Sequence, residues 1–264
     1  MRNLKFAKLT GSGNDFIVID NRKKIIKNPK LFAKEICDRK NSVGADGLLL
    51  LEKSKIADFK MRIINSDGSE AQMCGNGIRC IALFAFLKKI VDKKMEIETL
   101  SGLKHVEIKN NFIKVNMGKP LGLSLNLKIK VDGKIFNGHF VNTGVPHTVI
   151  FSDKVNVRDI GRKIRFHKLF KPDGTNVNFV KVLSKNKIKV RTYERGVEDE
   201  TYACGTGSTA SAYISNILNK TKFPTFVKTS GGDVLKIDID EERNLYLSGK
   251  VKYICEGIYF KNGR

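Results

Sequence analysis

Residues 72–80 read QMCGNGIRC, and residues 202–210 read YACGTGSTA. Both stretches place a cysteine directly before Gly-x-Gly, and both continue into a segment with helical character. The first continues as IRCIALFAFL, which is apolar on nearly every side, and the second as STASAYISNIL, which is built from small residues. A helix without a polar face is typical of a core position. The two stretches therefore predict two helices, each enclosed by a sheet and each beginning at a Cys-Gly turn.

Most of the remaining chain consists of short runs that alternate apolar and polar residues, among them FIVID, FKMRII, KMEIETL and KIKVRTY. Turns rich in Gly, Asn and Asp separate these runs, which is typical of strands. Two amphipathic helices are also predicted. One lies in NPKLFAKEICDRK, with Asn28 as N-cap and Pro29 in the first turn, and the other in NVRDIGRKIRFHK. The pattern predicts an α/β protein with many strands and few helices.

The two Cys-Gly turns belong to a longer repeat. A Thr-Gly turn precedes a short apolar strand at Thr10 and again at Thr143. Thr10 stands 64 residues before Cys74, and Thr143 stands 61 residues before Cys204. Matched order and spacing of this kind indicates an internal duplication, with a linker near residues 116–122.

Composition excludes several classes of protein. The chain has 264 residues, 41% of them apolar and 29% charged, and no run approaches the ~20 apolar residues that cross a bilayer. The first twenty residues lack the continuous apolar segment of a secretory signal, so we expect a cytoplasmic protein that does not bind membranes. Five cysteines without a Cys-x-x-Cys pair and four dispersed histidines predict neither a disulfide framework nor a metal site.

The formal net charge of +22 raises nucleic-acid binding as a hypothesis. Lysines, however, are spread along the whole chain, and no arginine-rich tail, zinc finger or aromatic RNA-binding strand motif is present. We interpret the charge as a solvated, lysine-biased surface and do not expect a nucleic-acid partner. A basic binding module remains the second hypothesis, and it predicts an affinity that falls steeply with salt.

The cysteines differ in their surroundings. Cys37, Cys80 and Cys255 lie inside amphipathic or strand patterns, as small apolar residues do. Cys74 and Cys204 are followed by glycines, which burial alone does not explain. A helix N-terminus favours the thiolate and moves its pKa from ~8.5 to within ~3.5 to 7.5. The glycines would let a ligand reach the backbone amides.

Two such thiols suit the inversion of an amino-acid α-carbon. One sulfur would remove the α-proton and the other would return a proton on the opposite face, each ~3 to 3.5 Å from the carbon. The charge that develops on the α-carboxylate would be held by backbone amides at the two helix starts, and no cofactor is then required. These amides belong to Gly75, Asn76, Gly205 and Thr206.

Two other chemistries remain open at this point. A Cys-His hydrolase could use one thiolate as nucleophile with His147 as its partner, but the second Cys-Gly-x-Gly would then have no explanation. Pyridoxal phosphate chemistry would need a Schiff-base lysine, and the chain has many lysines.

An ordered set of motifs that spans nearly the whole chain resembles the diaminopimelate epimerase family. The set comprises GSGNDFIVID, GADGLLL, NSDGSEAQMCGNGIRC, TGVPH, GTNVNFV and YERGVEDETYACGTGS. Proline racemase and related enzymes share the paired cysteines but lack the Asn and Glu-Arg elements in this form. The resemblance implies interconversion of LL- and meso-diaminopimelate, in lysine and peptidoglycan precursor synthesis, without a cofactor. Another amino acid such as proline is the alternative, although Arg195 suits a second, distal carboxylate.

The resemblance also implies roles for single residues. Cys204 would deprotonate the LL substrate and Cys74 would reprotonate it, while His147 and Glu194 would tune the pKa values of the thiols. The positions that match substrate contacts are Asn14, Asn65, Gly75, Asn76, Asn176, Glu194, Arg195, Gly205 and Thr206. Two positions depart from some members, with Gly47 in place of Gln and Val145 in place of Asn, so side-chain contacts there are lost.

The fold that the resemblance implies has two pseudo-symmetric α/β halves, each a curled, largely antiparallel sheet around a central helix. The first half is expected at residues 1–117, with a C-terminal strand at 252–264 returning to it, and the second at residues 118–251. A homodimer is implied as well. Oxidation is expected to join Cys74 and Cys204 in a disulfide that inactivates the protein and that a reductant reverses.

Overall fold

The computed structural model describes residues 2–110 and 112–261. Within this part of the chain there are two structural units. The first contains the chain up to Val115 and again from Gly249, and the second contains Asn116–Ser248. Among the helices described, none has the length and apolar character that a membrane span requires.

Strands greatly outnumber helices. The helices are α1 (Pro29–Ile36), α2 (Gly75–Leu87), α3 (Val157–Arg165) and α4 (Gly205–Ile217), and a short 3-10 turn covers Lys168–Phe170. The strands are β1 (Arg2–Gly11), β2 (Asn14–Asp20), β3 (Gly47–Glu52), β4 (Phe59–Asn65), β5 (Glu70–Ala71), β6 (Lys94–Thr99), β7 (Gly102–Lys109), β8 (Phe112–Gly118), β9 (Leu121–Val131), β10 (Lys134–Asn142), β11 (Pro146–Phe151), β12 (Asn176–Ser184), β13 (Lys187–Glu194), β14 (Asp199–Thr201), β15 (Thr225–Lys228), β16 (Val234–Ile239), β17 (Leu245–Gly249) and β18 (Lys252–Lys261).

The sheet of the first unit combines parallel and antiparallel pairs. β1 runs antiparallel to both β2 and β18, β2 pairs with β3 in parallel, and β3 pairs with β4 antiparallel. β4 then pairs with β6 in parallel, and β6, β7 and β8 continue antiparallel. The returning strand β18 borders β1 along nearly its full length.

Helices cover both faces of the central strands of this unit. Phe32 and Ile36 of α1 pack against Ile17 of β2 and Leu48 of β3 in one core cluster. On the other side, α2 lies against β1, β2 and β3, and it is buried along almost its whole length. Strands that are covered on both faces become continuously apolar instead of alternating, which explains GLLLLE in β3.

The second unit repeats this order of pairings. β9, β10 and β11 are antiparallel, β11 pairs with β12 in parallel, and β12 pairs with β13 antiparallel. β13 pairs with β15 in parallel, and β15, β16 and β17 continue antiparallel. The helix α3 packs Val157 and Ile164 on one face of this sheet, and α4 lies against β10, β11, β12 and β13. Each unit is therefore a curled sheet around one enclosed helix.

Candidate active site

Both enclosed helices begin with a cysteine as N-cap. Cys74 caps α2 and Cys204 caps α4, both in extended backbone conformation. Each Sγ accepts a hydrogen bond from the backbone N–H three residues later, at 3.4 Å from Gly77 N and at 3.4 Å from Gly207 N. Because helix amides and the helix dipole stabilise negative charge, both sulfurs occupy positions that favour the thiolate.

In the first unit, two asparagines predicted as substrate contacts are bonded to each other. Asn76 Nδ2 donates to Asn14 Oδ1 at 2.7 Å, and Asn14 Nδ2 donates to Asp46 Oδ2 at 3.2 Å. This chain of bonds joins the start of α2 to the start of β2. Gly75 and Asn76 form the first turn of α2 directly after Cys74, as the sequence predicts.

Sequence reasoning missed Arg79, which is wholly buried inside α2. Its Nη1 donates to Gly75 O at 2.8 Å, and its Nη2 donates to Ser12 Oγ at 2.8 Å and to Asn76 Oδ1 at 3.0 Å. The guanidinium thus ties the turn between β1 and β2 to the first turn of α2. The signal in the sequence was a charged residue within an apolar helix.

An ion-pair cluster lies behind Asn14 and also escaped prediction. Arg39 Nη2 contacts Asp15 Oδ1 at 2.6 Å and Asp46 Oδ1 at 2.7 Å, and Lys8 Nζ lies 3.1 Å from Asp15 Oδ2. Burial acts to raise the pKa of the Asp15 carboxyl, but the hydrogen bonds and charges of Arg39 and Lys8 lower it below its ordinary value. The cluster holds Asp46 where it accepts the amide of Asn14.

Asn65 has a more exposed setting at the end of β4. Its Nδ2 donates to Ser69 Oγ at 2.9 Å, and its backbone partner on β3 is Gly47. A Cβ at position 47 would lie 3.1 Å from Ile64 O, which is a tight contact. The glycine therefore leaves the strand end next to Asn65 without a side chain.

In the second unit, His147 lies on β11 and is wholly buried. Its Nδ1 is 3.1 Å from Asn178 Nδ2, a residue of β12 that the sequence analysis did not single out. Burial lowers the pKa of His147 to about 3, with a smaller contribution from the positive charge of Arg195. The imidazole is therefore neutral at physiological pH.

Asn176 and Arg195 are directly bonded. Asn176 Oδ1 accepts the backbone N–H of Arg195 at 2.8 Å, while its Nδ2 donates to Pro146 O at 2.9 Å. The guanidinium of Arg195 also donates to Asp173 O at 3.3 Å. Asn176 is also paired with His147 in the parallel ladder of β11 and β12, so these two residues are neighbours in the sheet.

Glu194 ends β13 directly before Arg195. Burial raises the pKa of its carboxyl, although Thr201 Oγ1 donates to Oε2 at 2.9 Å and acts in the opposite direction. A carboxyl with a raised pKa at such a position is a candidate for a functional group.

The turn between β10 and β11 contacts the start of α4. Thr143 Oγ1 donates to Thr206 O at 2.9 Å, and Thr143 N donates to Val145 O at 3.3 Å. The backbone carbonyl of Val145 is thus an acceptor within this turn. Gly205 and Thr206 open α4, and Thr206 Oγ1 lies 3.4 Å from Cys204 Sγ.

Of the residues that the sequence analysis selected, Asn14 is bonded to Asn76 at the start of α2, Thr206 lies next to Cys204 at the start of α4, and Asn176 is bonded to Arg195. Asn65 and Glu194 lie at strand ends. Within residues 2–110 and 112–261, no group of three or more His, Cys, Asp or Glu side chains is arranged to hold a metal ion.

Known proteins match this chain over nearly its full length. The family model described as diaminopimelate epimerase matches residues 6–122 and 139–254. A diaminopimelate epimerase of Aquifex aeolicus is 45% identical over 270 residues, which cover 96% of this chain and 97% of that protein. One of Archaeoglobus fulgidus is 41% identical over 273 residues, covering 97% of this chain and 96% of that protein.

Solved structures share the fold at low identity. A phenazine biosynthesis protein of the PhzF family from Bacillus anthracis superposes with a TM-score of 0.74 at 15% identity, covering 99% of this chain and 100% of that chain. A hydroxyproline epimerase from Agrobacterium vitis gives a TM-score of 0.70 at 13% identity, covering 97% of this chain and 92% of that chain. These likenesses concern the fold alone.

Proposed function

This chain belongs to the diaminopimelate epimerase family, and on that basis we propose that it interconverts LL- and meso-diaminopimelate with Cys74 and Cys204 as its acid/base pair. The observation that carries the proposal is the matched pair of enclosed helices. Each begins with a cysteine whose sulfur already accepts a helix N–H.

The reaction is a proton exchange at carbon. Cys204 as thiolate takes the α-proton of the LL substrate, so that a C–H bond breaks and an S–H bond forms. Cys74 as thiol gives its proton to the opposite face of the same carbon, and the roles reverse in the other direction. Atoms and charge balance without an oxidant, a reductant or a cofactor.

Backbone amides at the helix starts stabilise the negative charge that develops on the α-carboxylate. The first four N–H groups of a helix have no partner within the helix. Those of α2 and α4 follow the two cysteines directly, and donors of this kind act most strongly on charge that appears in the transition state. The residues concerned are Gly75, Asn76, Gly205 and Thr206.

Polar side chains near the helix starts recognise the rest of the substrate. Arg195 provides a guanidinium for a carboxylate, and Glu194 provides an acceptor for an ammonium group. Asn14, Asn65 and Asn176 can each donate and accept. Asn14 and Asn176 are supported for this role by hydrogen bonds that already orient their amides.

The same family membership supports three further parts of the proposal. The protein acts as a homodimer in the cytoplasm. The chain is a duplication of two halves, and each half supplies one thiol. The first half is residues 1–117 with 252–264, and the second is residues 118–251.

Turnover in deuterated water tests the proposed reaction. Substrate and product recovered from LL-diaminopimelate should carry deuterium at one α-carbon. Cys74→Ser and Cys204→Ser should each lower kcat/KM by about 10²- to 10⁴-fold, because each removes one partner of the proton transfer. Cys255→Ser is the control, since Cys255 is exposed and lies in β18. Turnover without deuterium, or full activity in either of the first two variants, would exclude the mechanism.

A further inference from the structure

Asn178 is a wholly buried residue of β12 whose amide is fully bonded. Its Nδ2 donates to Thr148 O at 3.1 Å, and its Oδ1 accepts from Thr192 Oγ1 at 2.9 Å. Because a backbone carbonyl can only accept a hydrogen bond, the nitrogen of the amide has to face Thr148. The second N–H of the same group then points at His147 Nδ1, 3.1 Å away.

This orientation determines the tautomer of His147. A nitrogen that receives an N–H must present its lone pair, so the proton of the neutral ring sits on Nε2. Since the pKa of His147 lies at about 3, the ring keeps this form throughout the neutral range. Its Nε2 is buried and has no hydrogen-bond partner among residues 2–110 and 112–261.

Asn178 also touches the first turn of α4. A Cβ on Gly207 would collide with Asn178 Oδ1, so the two residues are in close contact. Gly207 is the residue whose backbone N–H binds Cys204 Sγ at 3.4 Å. One side chain therefore contacts both His147 and Gly207, the residue whose N–H binds the thiol.

We propose that Asn178 is a positioning residue for the reaction: it holds His147 in the neutral Nε2–H tautomer and at the same time contacts the first turn of α4 at Gly207. A ring that stays neutral in this tautomer does not exchange a proton with Cys204 during turnover. This inference rests on the proposed function only in assigning Cys204 to proton transfer.

The test is the tautomer of His147, read by nitrogen NMR on protein with ¹⁵N-labelled histidine. In the wild type we expect the Nε2–H form without titration between about pH 5.5 and 8.5. Asn178→Asp places a carboxylate beside Nδ1, which favours Nδ1–H and raises the pKa of the ring. This variant should show the other tautomer, a new ionisation in the pH profile of kcat/KM, and a kcat lowered about tenfold or more with a smaller change in KM.

Two further variants separate positioning from general damage. Thr192→Val removes only the bond to Oδ1, so the tautomer should stay Nε2–H. Gly207→Ala should lower kcat less in an Asn178→Ala background than in the wild type, because the colliding oxygen is then absent. Additive effects of these two substitutions would show that the contact does not position α4.

If His147 of the wild-type protein carries its proton on Nδ1, or titrates near neutral pH, the proposal is overturned. This outcome needs no variant. An unchanged tautomer in folded Asn178→Asp protein would overturn it as well. The NMR experiment reads the tautomer of His147 without turnover, and deuterium incorporation reads the proposed reaction without information on the tautomer. Failure of the inference and failure of the proposed function are thus distinguishable.

Discussion

Arg79 and Thr209 occupy equivalent places, five residues after Cys74 and Cys204. Each donates to the carbonyl four residues earlier, Arg79 Nη1 to Gly75 O at 2.8 Å and Thr209 Oγ1 to Gly205 O at 2.9 Å. The two hydrogen bonds are equivalent, but the two side chains differ in charge, because the guanidinium of Arg79 stays protonated and the hydroxyl of Thr209 is neutral. The first turn of α2 therefore carries a buried positive charge at a position where α4 has none.

Arg79→Met is accordingly expected to raise the pKa of the Cys74 thiol, since a nearby cation favours the thiolate. The pKa of Cys204 should change less, because Arg79 belongs to the helix that Cys74 caps. The pH dependence of alkylation at each cysteine, followed by mass spectrometry, measures both values in one sample. Thr209→Val is the matched control, because it removes the equivalent bond without removing a charge. An unaltered Cys74 pKa in folded Arg79→Met protein would contradict the prediction.

At the scale of elements, the enclosed helices α2 and α4 fill the space inside their sheets with different side chains. Helix α2 fills its space with large apolar side chains such as Ile81 and Phe84, which are buried. Helix α4 instead buries small residues, and Thr209 and Ser215 satisfy their hydroxyls by donating to carbonyls one turn earlier. Both solutions let a sheet close around the helix, and in α4 the hydroxyls of Thr209 and Ser215 remain hydrogen-bonded inside.

Ile81→Ala should destabilise the protein by about 2–5 kcal/mol, because it opens a cavity in a core that cannot fully collapse. Leu87→Ala, at the end of the same helix, should cost less than about 1 kcal/mol, since Leu87 is 51% exposed. Urea unfolding followed by circular dichroism compares the two variants. Equal losses would mean that enclosure of α2 does not govern its stability.

At the scale of the whole molecule, the excess of charge is the dominant feature outside the candidate site. Lys and Arg number 49 against 27 Asp and Glu, so repulsive pairs of charges outnumber attractive ones at long range. Ion pairs such as Lys163–Asp132 and Arg62–Glu70 offset this repulsion locally. Net charge of this size destabilises the folded state through self-repulsion.

The urea midpoint should therefore rise as sodium chloride increases from about 0.05 to 0.5 M, because the Debye length shortens from above 10 Å to a few ångströms. Potassium chloride at the same ionic strength should give the same rise, since screening does not depend on which of these cations is present. A midpoint that falls with salt would show that attractive pairs control the stability.

Local sequence patterns predicted the fold class and the family, and both are confirmed. Pattern reasoning also located the two capped helices, because apolar periodicity and a Cys-Gly turn are properties of a few adjacent residues. It missed Asn178 and Arg79. Their main partners lie far away along the chain, since Asn178 comes 31 positions after His147 and Arg79 comes 67 positions after Ser12.

The amino-acid order by itself determined which helices are enclosed, where they begin and which two thiols sit at their N-termini. Periodicity, small residues and glycine act within one or two turns of the chain, so no tertiary contact is needed to recognise them. Only the folded units decided which nitrogen of His147 carries its proton and which oxygens surround Arg79. Those properties depend on hydrogen bonds across neighbouring strands and between helix and sheet, and a buried polar group takes the partner that the fold brings to it.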